Sequence, residues 1–367
     1  MFDFTITHPS KIASFFCCLL YFVIVFSNWQ KIRYSKTTKA SYWPILLGVI
    51  LYSVTQWVPG DWFHYQEWIN IHTFSHEDQE APYLFLRVFL NHNYLLFRII
   101  VWGSAAFLLS LVFKVMKLDV KSSLFVFFSI YAMMFSYGRV SLGMSFFFLG
   151  YCIIIQVGNS NHKILQAIGG VVLMLLSTFF HRTMFVLVLL SLVTIIPIKK
   201  KMIIFYILFA IVFFYMSSLY LKGFLYSDFL TDSDLSWKLE RANNEVNRTE
   251  GANFNGMVLY MLKYATIYVP IICSSIALFR KETRKKITVQ VYSLYILTLF
   301  ILAYALAMYV ALPNDIFFSR TLYMCMMPSC IVMSYMYQKK LLKKYEWMLS
   351  LFTGIFYNGL VLINFSI

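Results

Sequence analysis

Charge is what this sequence lacks most. Asp, Glu, Lys and Arg make up 13% of its 367 residues against 60% hydrophobic, about half the charged share of a soluble domain, and a soluble globular fold is excluded. Acid is scarcer than base, with 16 Asp and Glu to 31 Lys and Arg. The basic residues nevertheless form no cluster on a stretch that could fold as a soluble surface, so a nucleic-acid partner is excluded. No Gly-rich loop follows a strand, and no cytoplasmic segment is long enough to house a nucleotide site, which argues against ATP or nucleotide-sugar use inside the cell. Cys17, Cys18, Cys152, Cys273, Cys325 and Cys330 all lie in apolar stretches without metal-type pairing to histidine. They read as small apolar residues, and neither a metal nor a cofactor is expected. The first apolar run follows a single lysine, Lys11, and lacks a small-residue cleavage site, so it reads as a retained span.

What the chain has is length and apolarity. Apolar stretches cover 12–29, 41–58, 93–113, 122–137, 140–157, 163–180, 183–198, 202–221, 257–279, 287–310, 321–337 and 347–366. A bilayer core takes about 20 helical residues, and helices satisfy their own backbone groups in lipid. The fold class expected is therefore all-α: a polytopic membrane protein with about 12 transmembrane helices, forming a single integral membrane domain over 1–367. The odd-numbered spans run into turns at 31–39, 114–121, 159–163, 197–201, 280–286 and 339–344. These turns hold 20 of the 31 Lys and Arg residues. With Glu346 just beyond the last, they account for only three of the 16 acids, the others being Asp119 and Glu282. The rest of the chain carries 11 basic and 13 acidic residues. By the positive-inside rule the six turns are cytoplasmic and both termini external, and the net charge of +15 is mostly a topology signal.

Two longer connections, 58–92 and 222–256, fall on the external side. The first carries Asp61, Tyr65, His72, His76 and Glu80 and ends in an apolar tail, 83–90, too short to span and suited to an interfacial or re-entrant helix. The second centres on 234–240, which suits a short surface helix. Tight external turns put Arg139 at the junction of the fourth and fifth spans, His181 and Arg182 at that of the sixth and seventh, and Arg320 at that of the tenth and eleventh. Arg98 lies just inside the third span from the same face. An arginine at a helix end ordinarily snorkels to lipid phosphate, and a histidine there is ordinarily solvated. Positive charge outside runs against the topology bias, however, and that favours a functional reading of the group. His72 and His76 share no fixed carboxylate set, which argues against a metal. Trp57, Trp62 and Trp68 sit near the external boundary, where they can anchor to the interface or stack on sugar rings.

These residues carry a resemblance. Asp61 and Tyr65, followed by Glu80, Tyr83 and Leu86, resemble the D-x-x-x-Y and E-x-x-[FY]-x-x-L external loop of the EpsG family, although Trp62 follows Asp61 where that family usually has tyrosine. The segment beginning Gly138-Arg139-Val140-Ser141-Leu142-Gly143 resembles its R-x-x-[LI]-[AG] helix start. Phe180-His181-Arg182-Thr183 resembles its F-H-x-[ST] turn, and Arg320 to Tyr323, with two residues between where the family has three, its late R-x-x-x-Y region. Members are Wzy-like polymerases of exopolysaccharide, capsule or O-antigen repeat units. The resemblance implies a multi-pass enzyme of the bacterial cytoplasmic (inner) membrane with an external or periplasmic active face. Its substrate would be a polyprenyl-diphosphate-linked glycan, transferred to a sugar hydroxyl of a second lipid-linked repeat, with flippase and chain-length regulator proteins as partners. Within that reading Arg139 and Arg320 are expected on the diphosphate, because a planar guanidinium binds phosphate oxygens bidentately and stays protonated. His181 is expected as the base or as the group that orients the acceptor. Arg182 is expected on phosphate or sugar, and Asp61, Tyr65 and Glu80 in sugar recognition or as an alternative base. Arg98 and Tyr323 complete the substrate-binding set. The departing lipid diphosphate supplies the driving force, so no nucleotide or metal is needed.

Two other readings stay open. An O-antigen or teichoic-type ligase shares the chemistry and differs in its acceptor. A lipid-linked oligosaccharide flippase or other transporter would carry its charges deep along a central path and show internal pseudo-symmetry. Here they gather at external span ends.

Overall fold

In the computed structural model, residues 11–33, 41–55, 81–132, 138–157, 163–195, 200–225, 254–311 and 315–366 are described. Among them every regular element is a helix, the arrangement an apolar chain needs to pair its own backbone groups. In order these are α1 (Lys11–Arg33), α2 (Trp43–Thr55), α3 (Ala81–Phe89), α4 (Tyr94–Val115), α5 (Val120–Tyr131), α6 (Gly138–Gln156), α7 (Lys163–Phe180) and α8 (Met184–Ser191). There follow α9 (Ile203–Leu225), α10 (Phe254–Phe279), α11 (Lys281–Lys286), α12 (Val289–Ala311), α13 (Asp315–Tyr323), α14 (Met326–Gln338) and α15 (Lys344–Ser366). Among the described residues seven helices are long and apolar enough to cross a membrane: α4, α6, α7, α9, α10, α12 and α15. Shorter apolar stretches occupy α1, α2, α5, and α8 with the 3-10 turn that extends it. The chain is an all-α, polytopic membrane protein, as expected. Asp61, Tyr65, Glu80 and the segment 234–240 lie outside the described residues.

Two expectations are refined. The apolar tail 83–90 is indeed a short helix, α3, with Tyr83 and Arg87 buried one turn apart and Phe85, Val88 and Phe89 exposed. The expected span 321–337 is instead two helices. The end of α13 tightens, with the Met324 N–H donating to Thr321 O (3.1 Å) and the Cys325 N–H to Leu322 O (3.0 Å). Then α14 restarts with Pro328 in its first turn. Proline has no N–H to give Met324, and its ring crowds the carbonyl four residues back, so one continuous helix is disfavoured.

The chain divides into two compact units, Met1–Phe185 with Met348–Ile367, and Val186–Trp347. In the first, α6 is buried nearly all round and packs against α4 and α7. Small residues allow this. Ser145 donates to Ala105 O at 3.1 Å, and a Cβ on Gly170 would lie 2.6 Å from Ile154 Cγ1 and 2.8 Å from Gly150 O, the close backbone approach on which helices associate in lipid. The carbonyls orphaned at the end of α5 are met by side chains. The Tyr21 hydroxyl donates to Ser129 O (3.0 Å), and Asn358 Nδ2 donates to Ser129 O (3.1 Å) and Ile130 O (3.2 Å). One turn before Asn358, a Cβ on Gly354 would lie 3.0 Å from Ser129 O and collide with the Ile130 backbone. Gly354→Ala is therefore expected to destabilise the protein by about 2–3 kcal/mol through overpacking against immovable backbone. Gly169→Ala, where a Cβ meets nothing within 4 Å, should be neutral or slightly stabilising. Thermal unfolding of both variants in one detergent checks the contrast, and equal midpoints would contradict it.

In the second unit α9 lies along α12, with Phe209 and Phe213 against Phe300 (5.5 and 5.3 Å between ring centroids). The basic end of this unit is tied down. Arg280 pairs bidentately with Glu346, Nη2 lying 2.8 Å from Oε2, and donates to Leu341 O at 2.8 Å. The Glu346 carboxylate beside it raises the Arg280 guanidinium above its ordinary pKa. Glu346 also accepts from the Lys343 N–H (2.7 Å), capping the start of α15.

Candidate functional site

In the first unit the candidate residues gather about Tyr83. Asn91 (φ 48°) and His92 (φ 60°) reverse the chain after α3 in the left-handed conformation that asparagine tolerates. Asn93 then caps α4 by accepting from the Leu96 N–H at 3.0 Å. Arg87 Nε donates to His92 Nδ1 (3.3 Å), bracing the reversal. The buried edge of α3 packs against α7, and the Tyr83 ring stands 6.1 Å from both Phe97 and Phe180.

Arg139 is the second residue of α6 and half-buried. Its guanidinium lies 5.9 Å from the Tyr83 ring centroid, and its carbonyl accepts from the Tyr83 hydroxyl at 3.4 Å. A cation over an aromatic face is held electrostatically by the ring. The preceding Gly138 lets α6 start hard against Trp102, where a Cβ would fall 2.6 Å from Trp102 Cη2. Behind that ring lies Arg98, 3% exposed. Its Nη2 donates to Ser53 O at 3.1 Å, and its guanidinium stands 5.2 Å from Trp102 and 5.7 Å from Tyr94. Arg98 is thus buried against backbone and rings.

His181 follows the last residue of α7, its N–H donating to Ser177 O at 3.1 Å. Its Nδ1 lies 2.6 Å from Thr183 Oγ1 and accepts from the Thr183 N–H at 3.4 Å. A Cβ on Gly143 would come within 3.2 Å of His181 Cβ, so the missing side chain at 143 is what lets the histidine close on α6. Gly143 lies one turn beyond Arg139 on the same face. His181 therefore meets α6 one turn from Arg139, about 6 Å of rise along the helix. Phe146 stacks on Phe180 at 4.7 Å and 3°, fixing the two helices just below. Arg182, next to His181, is exposed.

Arg320 and Tyr323 belong to the second unit, on α13. Arg320 is exposed and Tyr323 buried. Lys263 of α10 reaches the same place, with Nζ 5.7 Å from the Tyr323 ring and 5.3 Å from that of Tyr264.

Three contributors escape a reading of motifs as chemistry. Tyr83 and Thr183 sit inside motif segments, but only packing shows the ring under Arg139 and the hydroxyl on the imidazole. Lys263 did carry a signal: it is a lone lysine in an apolar helix, and such charges are kept for a reason.

A hydroxyl-bearing nucleophile attacking a carbon that leaves from phosphate needs a proton acceptor and fixed positive charge within a few ångströms of each other. His181 closes on α6 at Gly143, one turn along that helix from Arg139. When Thr183 Oγ1 accepts a hydrogen bond from Nδ1–H, the basic lone pair lies on Nε2; when the Thr183 hydroxyl and N–H donate to Nδ1, Nε2–H becomes a donor that orients an acceptor hydroxyl.

The model of the EpsG family matches residues 41–367, most of the chain and all of the residues described above except those of α1. No curated protein and no solved structure matches it.

Proposed function

This chain belongs to the EpsG family, and we propose that it is a membrane polysaccharide polymerase. It moves a glycan from a polyprenyl diphosphate to a sugar hydroxyl of a second lipid-linked repeat. The observation that carries the reading is that His181 meets α6 at Gly143, one turn from Arg139, which stands at the Tyr83 ring. In the step, the acceptor oxygen bonds to the anomeric carbon as the bond from that carbon to the diphosphate oxygen breaks. The acceptor proton passes to His181, and the electron pair leaves on the diphosphate, where Arg139 meets the developing charge. A diphosphate is a good leaving group, so charge stabilisation matters more than protonation by an acid. Arg320 has the role of a diphosphate contact on its own unit, Arg182 that of a phosphate or sugar contact at the surface, and Tyr323 that of a ring beside the lipid-linked substrate.

The site works on the external face of the bacterial cytoplasmic membrane, an orientation supported by the basic turns. In a background with the native cysteines replaced, a cysteine at Ser236 should react with an impermeant thiol reagent on intact spheroplasts. One at the exposed Lys285 should react only after permeabilisation. The reverse pattern would turn the proposed site to the cytoplasm. The reaction itself is tested by depleting the protein in cells: single lipid-linked repeats should accumulate and polymer disappear. Polymer still made but left unattached would instead identify a ligase.

A further inference from the structure

Two basic turns of the second unit, 280–286 and 339–344, are bonded to each other. Arg280 donates to Leu341 O and pairs with Glu346, and the Tyr335 hydroxyl donates to Lys286 O at 3.2 Å. Lys200 Nζ fastens the same end, donating to Ile287 O at 2.7 Å. Lys281, Lys285 and Lys286 stand exposed on one turn, and Lys339, Lys340 and Lys343 on the other. Of the acids beside them, Glu346 is buried in its bond to Arg280, which leaves Glu282 exposed. Orientation in the membrane asks for basic residues on this side, but it does not ask that their turns be fixed together. Fixing them has a cost, since lysines one turn apart, as Lys281 and Lys285 are on α11, repel. An anion would relieve it.

Aromatic rings mark the depth of this surface. Tyr337 and Trp347 stack across the turn between α14 and α15, their centroids 4.0 Å apart. Tyr345 is 60% exposed, with Lys343 Nζ 5.8 Å from its ring. Such rings settle at the level of lipid head groups. The residues 339–343 are all that joins α14 to α15, so their lysines stay close to the bilayer and meet lipid phosphate before a soluble partner.

We propose that this surface binds the phosphate head groups of anionic phospholipids, held between the lysines of the two turns. A zwitterionic head group brings an ammonium of its own, which the lysines repel. An anionic one does not, and each lysine near it adds roughly fivefold to binding. Because the turns are already fixed, little ordering is lost when a head group meets both. The site is independent of the polymerase reading.

The test is native mass spectrometry of the purified full-length chain with phosphatidylglycerol and phosphatidylethanolamine of matched acyl chains as probes, so that only the head group differs. Phosphatidylglycerol should bind the wild type about tenfold tighter or more. Lys281→Gln, Lys285→Gln and Lys286→Gln together should bring that preference within about threefold. So should Lys339→Gln, Lys340→Gln and Lys343→Gln together, and either set serves if the other does not fold. Lys339→Arg, Lys340→Arg and Lys343→Arg, which keep the charge, should preserve it. Lys114→Gln, Lys117→Gln and Lys121→Gln, on a basic turn of the first unit, should preserve it too. Glu346→Ala separates a built surface from summed charge: it makes the turns more positive but releases Arg280, and the preference should fall. A preference that rises in Glu346→Ala, survives both second-unit glutamine sets or is lost equally in the first-unit set overturns the site. Displacement of the lipid by excess inorganic phosphate would overturn it in favour of a soluble anion. Equal binding of the two lipids by the wild type would overturn it and leave the lysines to an acidic protein.

Discussion

His181→Ala is expected to stop chain extension while leaving the protein inserted and single lipid-linked repeats accumulating. A positioned general base is worth about 100-fold or more in rate, and the protein shows how this imidazole is positioned. Gly143 admits it against α6, and Thr183 holds Nδ1 at 2.6 Å. The alanine variant should fold, because His181 is only partly buried and its backbone hydrogen bond to Ser177 does not involve the ring. Thr183→Val tests the orienting hydroxyl separately. It should lower turnover with little change in substrate affinity, and Thr183→Ser should restore it. Unchanged chain-length distributions in His181→Ala at equal protein level would remove the histidine from the reaction.

Arg139→Lys is expected to lower turnover of lipid-linked substrate by about tenfold or more, roughly 1.4 kcal/mol of transition-state stabilisation. A snorkelling arginine needs only a long stem and a charge, so lysine would serve. A residue that stabilises a departing diphosphate uses its planar fork, which lysine lacks. The Tyr83 ring 5.9 Å from the guanidinium adds a second reason, since a flat cation stacks where an ammonium does not. The same loss is expected for Arg320→Lys, which sits exposed on α13. Near wild-type turnover in both lysine variants would leave the two arginines as membrane anchors.

Why Arg139 and His181 were legible in the sequence while their surroundings were not has a physical basis. The stretches 163–180 and 183–198 leave only a two-residue turn between them, and α7 ends at Phe180 as that spacing demands. Likewise α6 begins at Gly138, so both residues had little freedom to be elsewhere than at helix ends. Tyr83, by contrast, meets Arg139 across 56 residues of sequence, and periodicity carries no information about such pairing. Arg98 illustrates the limit in depth. Its place one turn inside α4 was visible, but its burial against Ser53 and Trp102 depends on which face of α4 meets α2. The break between α13 and α14 was masked by an unbroken apolar pattern, although Pro328 marked it. A single lysine adds little to a span's mean hydropathy, so Lys263 leaves the apolar pattern unbroken, yet its cost in lipid is local and cannot be averaged away.

The central claim is that this chain itself extends a glycan on a lipid diphosphate. The most direct measurement incubates the purified protein with a lipid-diphosphate-linked repeat unit, without nucleotide, and resolves the products by length. The account predicts a ladder of oligomers differing by one repeat, made by the wild type and absent with His181→Ala. Unextended substrate from a folded wild-type preparation, with or without transfer of the lipid across a bilayer, would contradict it.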